Sequence, residues 1–484
     1  MGTGLVAAFA FWPKAGDDAA TVKTEAWQIN RRDFLRRTAV ASGVVAAPWI
    51  VPASARGADG AVAPSERMTV GLIGRGCMGR GHLNLLLGRR EAQVLAVCDV
   101  DRERREEGRR LVEETYAAER PRGVYRGCAA CNDYRELLGR PDLDAVVIAT
   151  TDHWHAMQAV HAAEAGKDVY CEKPVSLTIR EGRRIVEAVQ RHGRVFQTGT
   201  QYRSIPRIRQ VCEFVRAGGL GRVKSVFTIW SQYSIPSLGP SYVPLDPALA
   251  AEPVLEGLDW DLWVGPGTWR PYNHHYHRNP IPGVVPWVFS EAFGAVAVTG
   301  YQSHAADVIQ YALGVETSGP VEVLHPAGGE FPTLTFRYAN GTLLHHVDHW
   351  GMVKDVYKAV PSTARLAGNF GGLFVGERGW LTSMSTGGPL EGEPESLFSE
   401  MGLPSRDDDL SNNHHANWFD CVRSRARPSS HEEIGHRSAS LGHLAIIAYR
   451  LGRSLKWDPA REEFVGDEQA NRLRSRTTRA PWVM

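Results

Sequence analysis

The sequence predicts an α/β domain built on a parallel sheet, followed by an α+β domain with an open, largely antiparallel sheet. Three observations carry this reading. From Met68 to about Gly199 short β-branched runs alternate with helical segments. A glycine-rich turn joins the first run to the first helix. Past Tyr202 the texture changes to isolated strands, Pro/Gly/Trp loops and late helices. An alternation of strand and helix is what a parallel sheet requires, because each crossover must carry the chain back to the edge where it began.

Taken in order, Met68 to Gly74 (MTVGLIG) reads as a buried strand, apolar throughout rather than alternating. Met78 to Leu87 follows as a helix, Gln93 to Cys98 as the second strand and Ala145 to Ala149 as a later one. DVYC and RVFQTG supply two more. In the second half VKSVFTIW and GTLLHHV read as strands, and His415 to Val422 and Gly435 to Arg450 as helices. The domains are therefore placed at 66–200 and 201–484. The stretch from Ser234 to Pro286 is long for a connection and reads as a functional lid.

Upstream, Asn30-Arg31-Arg32-Asp33-Phe34-Leu35-Arg36 precedes an apolar run from Thr38 to Val51 and the triplet Ala53-Ser54-Ala55. That is the layout of a cleavable export signal, and the run is too short to span a bilayer. Residues 1–55 are read as a twin-arginine signal with an N-terminal extension. The expected partner is the twin-arginine translocase and the expected location the periplasm, with tethering to the membrane if the signal is retained. An accidental arginine pair before an ordinary anchor is the alternative.

The 484 residues carry 55 basic and 54 acidic side chains, so no long-range field favours nucleic acid or anionic membrane. A small-molecule partner is expected. Seven cysteines (77, 98, 128, 131, 171, 212 and 421) are an odd and sparse set that forms no disulfide framework. Cys128 and Cys131 are spaced as a redox pair or half a zinc site, but no second such pair completes a tetrahedron, and local packing is favoured. Histidines cluster at 274, 275 and 277, at 345, 346 and 349, and at 414 and 415, none with closed-site spacing. No metal is expected.

Gly74-Arg75-Gly76-Cys77-Met78-Gly79 matches G-x-G-x-x-G between a strand and a helix. Gly74 allows the tight turn, Gly76 admits a pyrophosphate and Gly79 lets helix and strand pack closely. The helix start at Cys77 and Met78 offers N–H groups to the phosphates. Asp99, after the second strand, is placed to accept hydrogen bonds from the adenosine ribose diol and to repel a 2′-phosphate. A Rossmann domain holding NAD follows, with NADP kept as the alternative by Arg102 and Arg104.

A second motif, Tyr170-Cys171-Glu172-Lys173-Pro174, closes a later strand. Glu172-Lys173-Pro174 behind such a fingerprint, ahead of an α+β domain, resembles the Gfo/Idh/MocA oxidoreductase family, in its secreted bacterial branch with its own C-terminal domain type. The likeness extends over TTDHWHAMQAVHAAEAGKDVYCEKPVSLTIREGRRIVEAV, QTGTQYRS, EGLDWDLWVGP and LGRSLKWDP. It implies an NAD(P)-dependent oxidoreductase acting on a hydroxyl of a sugar, glycoside or polyol, and a homo-oligomer. Lys173 would lie beside the nicotinamide and the reacting hydroxyl, Glu172 at the nicotinamide ribose, and Thr150 and His155 on the cofactor side.

The resemblance also implies a D-x-x-x-H-x-x-D segment. His304 and Asp307 match its last two positions, while Gly300 stands where the first aspartate is expected. His304 is read as a second catalytic and substrate-binding residue, with helix packing as the alternative. Asp307, Arg203 and Tyr272 are placed on the substrate side. Trp260, Trp263, Trp269, Tyr272, Tyr276 and Trp287 crowd one region, as sugar-stacking rings or as a second core. Because the periplasm holds no free nicotinamide pool, redox-neutral chemistry with a resident cofactor is a second reading: aldose/aldose transfer, epimerisation or oxidation-assisted glycoside cleavage. A cofactor-loaded binding protein with degenerate catalysis is a third.

Overall fold

A computed structural model describes residues 66–119, 125–229, 249–277, 286–368, 370–383, 390–402 and 414–484. The export signal read over residues 1–55 lies outside the described residues, as do two parts of the 234–286 stretch.

The first sheet has six parallel strands, β1 Met68–Ile73, β2 Ala92–Cys98, β3 Ala129–Cys131, β4 Ala145–Ile148, β5 Asp168–Cys171 and β6 Phe196–Thr198, in the order β3-β2-β1-β4-β5-β6. Helices α1 Cys77–Leu87, α2 Arg102–Thr115, α3 Tyr134–Leu138, α4 Asp152–Glu164 and α5 Ile179–Arg191 make the crossovers. Alternate residues feed opposite faces. Val146 and Ile148 pack with Trp154, Met157 and Ile185, whereas Ala145 and Val147 pack with Leu83, Leu86 and Val112. Strand order reverses between β1 and β4, which opens a crevice at the carboxyl ends of those strands. The register levels that edge: Ile73 pairs with Ile148, and Ile148 with Cys171. The residues that follow each strand therefore emerge side by side.

The second sheet has nine strands: β7 Val223–Ile229, β8 Glu322–Leu324, β9 Thr335–Arg337, β10 Leu343–Val347, β11 Gly372–Gly376, β12 Trp380–Ser383, β13 Gly392–Glu393, β14 Leu455–Asp458 and β15 Glu463–Phe464. Their order is β13-β12-β11-β7-β10-β9-β8-β14-β15. Only the β7–β10 pair among these is parallel, so the sheet is open and largely antiparallel. Helices α6 Pro206–Arg216, α7 Ser303–Leu313 and α9 Glu432–Leu451 share a core with one face, through Val211, Val308, Phe336, Leu344, Phe374 and Leu444. Helix α8 His414–Ser424 instead packs Trp418 and Phe419 against the parallel sheet beside α1.

Residues 66–200 thus carry the whole parallel sheet, yet later segments are built into its surroundings. Leu258 bridges to Asp101, and Asn132 donates to Asp259 at 3.0 Å. Helix α9 crosses close to both halves. A Cβ on Gly435 would lie 2.0 Å from Thr198 Oγ1, and one on Gly442 would lie 2.3 Å from Thr299 Oγ1 and 2.8 Å from Thr299 Cα. Only glycine fits such an approach.

One expectation changes, and one open alternative is decided. The described part of the 234–286 stretch is not a bare lid: it holds short helices at Trp260–Val264 and His274–His277 and a core of its own. Trp260 stacks on Trp263 with centroids 4.6 Å apart, Tyr272 meets it edge-on at 5.1 Å, and Phe293 closes the cluster. The Trp260 indole N–H reaches the Arg270 carbonyl at 2.9 Å, which lets the ring be buried. Most of the aromatic crowd therefore fills a core, and Trp269 stays exposed. None of the seven cysteines forms a disulfide, and burial pushes the Cys128 thiol up to about 12, as expected of packing rather than redox residues.

Gly442→Val is expected to destabilise the protein by about 2 kcal/mol or more, because the added methyl groups meet backbone that cannot yield. Urea unfolding measures this; an unchanged midpoint would show that α9 does not pack as described.

Candidate active site

The levelled strand ends border a cavity of about 750 Å³. At the β1–α1 turn Gly74 adopts φ +87°, and a Cβ there would lie 2.6 Å from Ala149 O. A Cβ on Gly79 would lie 2.0 Å from Gly74 O, so the third glycine is required by helix–strand contact. Gly76 is different: its Cβ would meet nothing within 4 Å, and the residue lines the cavity together with Cys77 and Met78. As N-cap of α1 it makes no side-chain cap, which leaves a cradle of pyrophosphate size before a helix N-terminus.

Asp99 is almost fully buried and shapes this cradle. Arg75 N–H donates to its Oδ2 at 2.7 Å and Asp101 N–H to its Oδ1 at 2.9 Å. Each oxygen retains further acceptor capacity and Asp99 lines the cavity, so a ribose hydroxyl is a suitable donor to it. The arginines offered for a 2′-phosphate are otherwise engaged. Arg102 donates to Glu256 at 2.9 Å, and Arg104 donates to His277 O at 3.1 Å and pairs with Asp101. The residues present fit NAD better than NADP.

After β4, Thr150 Oγ1 donates to Gln158 at 2.8 Å, and His155 donates from Nδ1 to Pro174 O at 2.7 Å. Burial lowers the His155 pKa and keeps it neutral, so it braces the Glu172-Lys173-Pro174 turn against β4. Both residues line the cavity. Glu172 is buried, with His82 Nε2 2.9 Å from Oε1 and Lys173 N–H donating to Oε2 at 3.2 Å. Burial alone would raise its carboxyl; the His82 hydrogen bond and the charges of His82 and Lys173 outweigh that and hold it at about 2. His82 Nδ1 lies 3.1 Å from His415 Nε2, so α8 supports the turn from behind. Lys173 reaches into the cavity wall, its Nζ 5.4 Å from the centroid of the Tyr301 ring.

The remaining site residues named from the sequence are not in the cavity wall, although His304 stays within electrostatic reach of Lys173 and Glu172. Among the described residues the cavity wall includes none of His304, Asp307, Arg203 and Tyr272. His304 is buried edge-on to Tyr202 at 4.6 Å and near Phe370 at 5.4 Å, and burial drops it to about 3. Arg203 and Asp307 form a buried pair at 2.6 and 2.9 Å, and Arg203 also donates to Glu316 at 2.9 Å. A buried guanidinium needs such carboxylates, and here they are committed to it, which accounts for both residues without a substrate. Tyr272 belongs to the aromatic core. Of the residues that line or support the site, His82 and Asp152 were not singled out from the sequence, and His415 was named only in a histidine pair weighed for a metal. Their only local signal is Asp152 and its neighbours in the TTDHWH run after β4.

Fold and cavity together define a two-sheet protein with a Rossmann-type dinucleotide-binding domain. Residues 68–200 match the family model for an oxidoreductase family with an NAD-binding Rossmann fold, and residues 404–484 match the model for that family's C-terminal alpha/beta domain. These two matched regions are those of the Gfo/Idh/MocA oxidoreductase family. It is 34% identical over 178 residues to an alpha-N-acetylgalactosaminidase of Shewanella oneidensis, a match covering 34% of this chain and 37% of that relative. The chain thus matches little more than a third of that relative's length. Among solved structures, the WlbA dehydrogenase of Bordetella pertussis in complex with NADH and UDP-GlcNAcA shares the fold at TM-score 0.52 and 18% identity, covering 81% of this chain and 98% of that one. A levoglucosan dehydrogenase in complex with NADH and levoglucosan shares it at TM-score 0.50 and 18% identity, covering 81% and 99%.

Gly76→Val is expected to match the thermal midpoint of the native protein stripped of nucleotide, since its side chain enters open space, while abolishing NADH binding followed by fluorescence. Gly79→Val is expected to lower the midpoint, since its side chain meets Gly74 O. Equal effects of the two on stability would contradict the assignment of the cradle.

Proposed function

We propose that the protein is an NAD-dependent oxidoreductase that acts on a hydroxyl of a sugar, glycoside or polyol and keeps its cofactor bound through the cycle. The observation that carries this reading is that the open cradle at Gly76 and the ammonium of Lys173 border one cavity. Bound NAD supplies an acceptor for the hydride of a substrate C–H bond. The chain's own residues then need to hold the sugar and manage the hydroxyl proton. Lys173 orders that hydroxyl and stabilises negative charge growing on its oxygen. Glu172, kept ionised, holds the turn from which Lys173 projects.

Carbohydrate as the substrate class is supported by Trp287 and Tyr301, half-buried aromatic rings of the cavity wall that suit sugar C–H groups. Sugar or sugar-nucleotide ligands in the two dehydrogenases of the same fold agree with it. We also propose that residues 1–55 direct folded export by the twin-arginine route, which favours a resident cofactor.

A second reading, oxidation-assisted glycoside cleavage, is favoured by the 34% identity to an alpha-N-acetylgalactosaminidase. There the sugar hydroxyl is oxidised, the aglycone leaves by elimination, water adds to the unsaturated ketone, and the carbonyl is reduced again, with no net change in the cofactor.

The test takes protein purified from the periplasm, denatures it and quantifies released nucleotide by mass spectrometry. Near-stoichiometric NAD is expected. The intact protein is then offered aldoses, polyols and p-nitrophenyl glycosides. Absorbance of reduced cofactor marks dehydrogenation, and nitrophenol release without it marks the cleavage reading. Lys173→Ala is expected to retain NAD and lose either activity by about a hundredfold or more. Tight sugar binding without turnover in the native protein would contradict both enzymatic readings.

A further inference from the structure

Besides Asp99 at the adenosine end, Asp152 is a buried carboxylate that borders the cavity with no cation bonded to it among the described residues. Asp152 is the first residue of α4, 3% exposed and part of the cavity wall. Among the described residues its carboxylate accepts one hydrogen bond, from Ala295 N–H to Oδ2 at 3.3 Å. On its cavity side it faces Gly300. A Cβ on Gly300 would lie 3.7 Å from Asp152 Oδ2 and 3.4 Å from Val288 Cγ2, ordinary contact distances. Gly300 does not have a left-handed backbone, so a side chain is sterically and conformationally admissible there. A carboxylate reaching out from position 300 would therefore arrive where the Asp152 carboxylate already stands.

We propose, resting on the reading above, that Asp152 supplies the carboxylate that position 300 lacks and is the acceptor of the substrate's hydroxyl proton, with Lys173 as its fixed cationic partner. The substrate O–H bond breaks and an O–H bond forms on Asp152. Lys173 remains an ammonium against the developing alkoxide. The C–H electron pair leaves as hydride to the oxidised nicotinamide, so carbon is oxidised by two electrons and the protein gains one proton.

The surroundings suit a group that changes protonation. Burial pushes the Asp152 carboxyl up to about 7, against the opposing pull of the Lys173 ammonium and the Ala295 N–H, while the Glu172 carboxylate adds to the rise. The other polar groups nearby are fixed. His153 is kept neutral by burial, with its ring nitrogens 3.2 and 3.1 Å from the carbonyls of Phe293 and Trp263. His155 is committed to Pro174 O, Tyr301 presents its ring to Lys173, and Arg476 donates to His153 O at 3.3 Å.

The test needs no knowledge of the sugar. Infrared difference spectra of the NAD-loaded protein, titrated through neutrality, read the carbonyl stretch of a protonated carboxyl group. One such band is expected in the native protein, absent in Asp152→Asn, restored in Asp152→Ala/Gly300→Asp, where the shortened side chain leaves room for the new carboxylate, and moved to higher pH in Lys173→Met. Asn keeps the oxygen that accepts Ala295 N–H, so Asp152→Asn is expected to retain the native thermal midpoint and NAD affinity. On any sugar the native protein oxidises, Asp152→Asn is expected to lower kcat by about a hundredfold with little change in KM, and the double variant to recover about tenfold. A neutral-range band that persists in Asp152→Asn, or no such band in the native protein, would overturn the proposal. If no sugar is oxidised, the functional reading fails while the infrared titration still decides the role of Asp152.

Discussion

The common level of three strand ends is the constraint on which the rest depends. Because Ile73, Ile148 and Cys171 are paired across β1, β4 and β5, the residues after them are delivered to one edge of the sheet. Gly74 to Gly76, Thr150 to Asp152, and Glu172 with Lys173 all emerge there, where the strand order reverses. A slip of one residue in either pairing would turn alternate side chains to the opposite face. Dinucleotide cradle, ammonium and buried carboxylate share a cavity only because hydrogen-bonded backbone fixes their relative heights.

The second half of the chain does more than cover this edge. His415 on α8 meets His82, which in turn holds Glu172, so a C-terminal helix steadies the turn bearing Lys173. Helix α9 fits against Thr198 and Thr299 through two glycines and sets the 295–300 segment beside α4. The Ala295 N–H to Asp152 bond completes that placement. Separate roles for a cofactor domain and a substrate domain describe the two sheets, while the site itself draws on both.

What was legible in the sequence follows a physical rule: features determined within a few residues could be read, and those determined across the fold could not. The parallel sheet and the roles of Gly74 and Gly79 were legible, because strand–turn–helix chemistry is local. Lys173 and Glu172 were found through a contiguous motif. Arg203 and Asp307, 104 residues apart, looked like substrate ligands until the fold joined them in a buried pair. Tryptophans 260 and 263 were equally consistent with stacking and with a core, since composition carries no direction. His82 and His415 are 333 residues apart, and no spacing could relate them. Gly300 was noticed as a departure, but its neighbour Asp152 became visible only when both stood on one cavity wall.

The central claim is that one cavity holds the nicotinamide dinucleotide with its reactive end beside Lys173 and Asp152. A crystal structure of the protein as purified, with no nucleotide added, tests it most directly. The account predicts electron density for a dinucleotide with its pyrophosphate over Gly76, its adenosine ribose at Asp99 and its nicotinamide next to Lys173. Density that places the nicotinamide away from Lys173 and Asp152, or a dinucleotide bound outside this cavity, would contradict it.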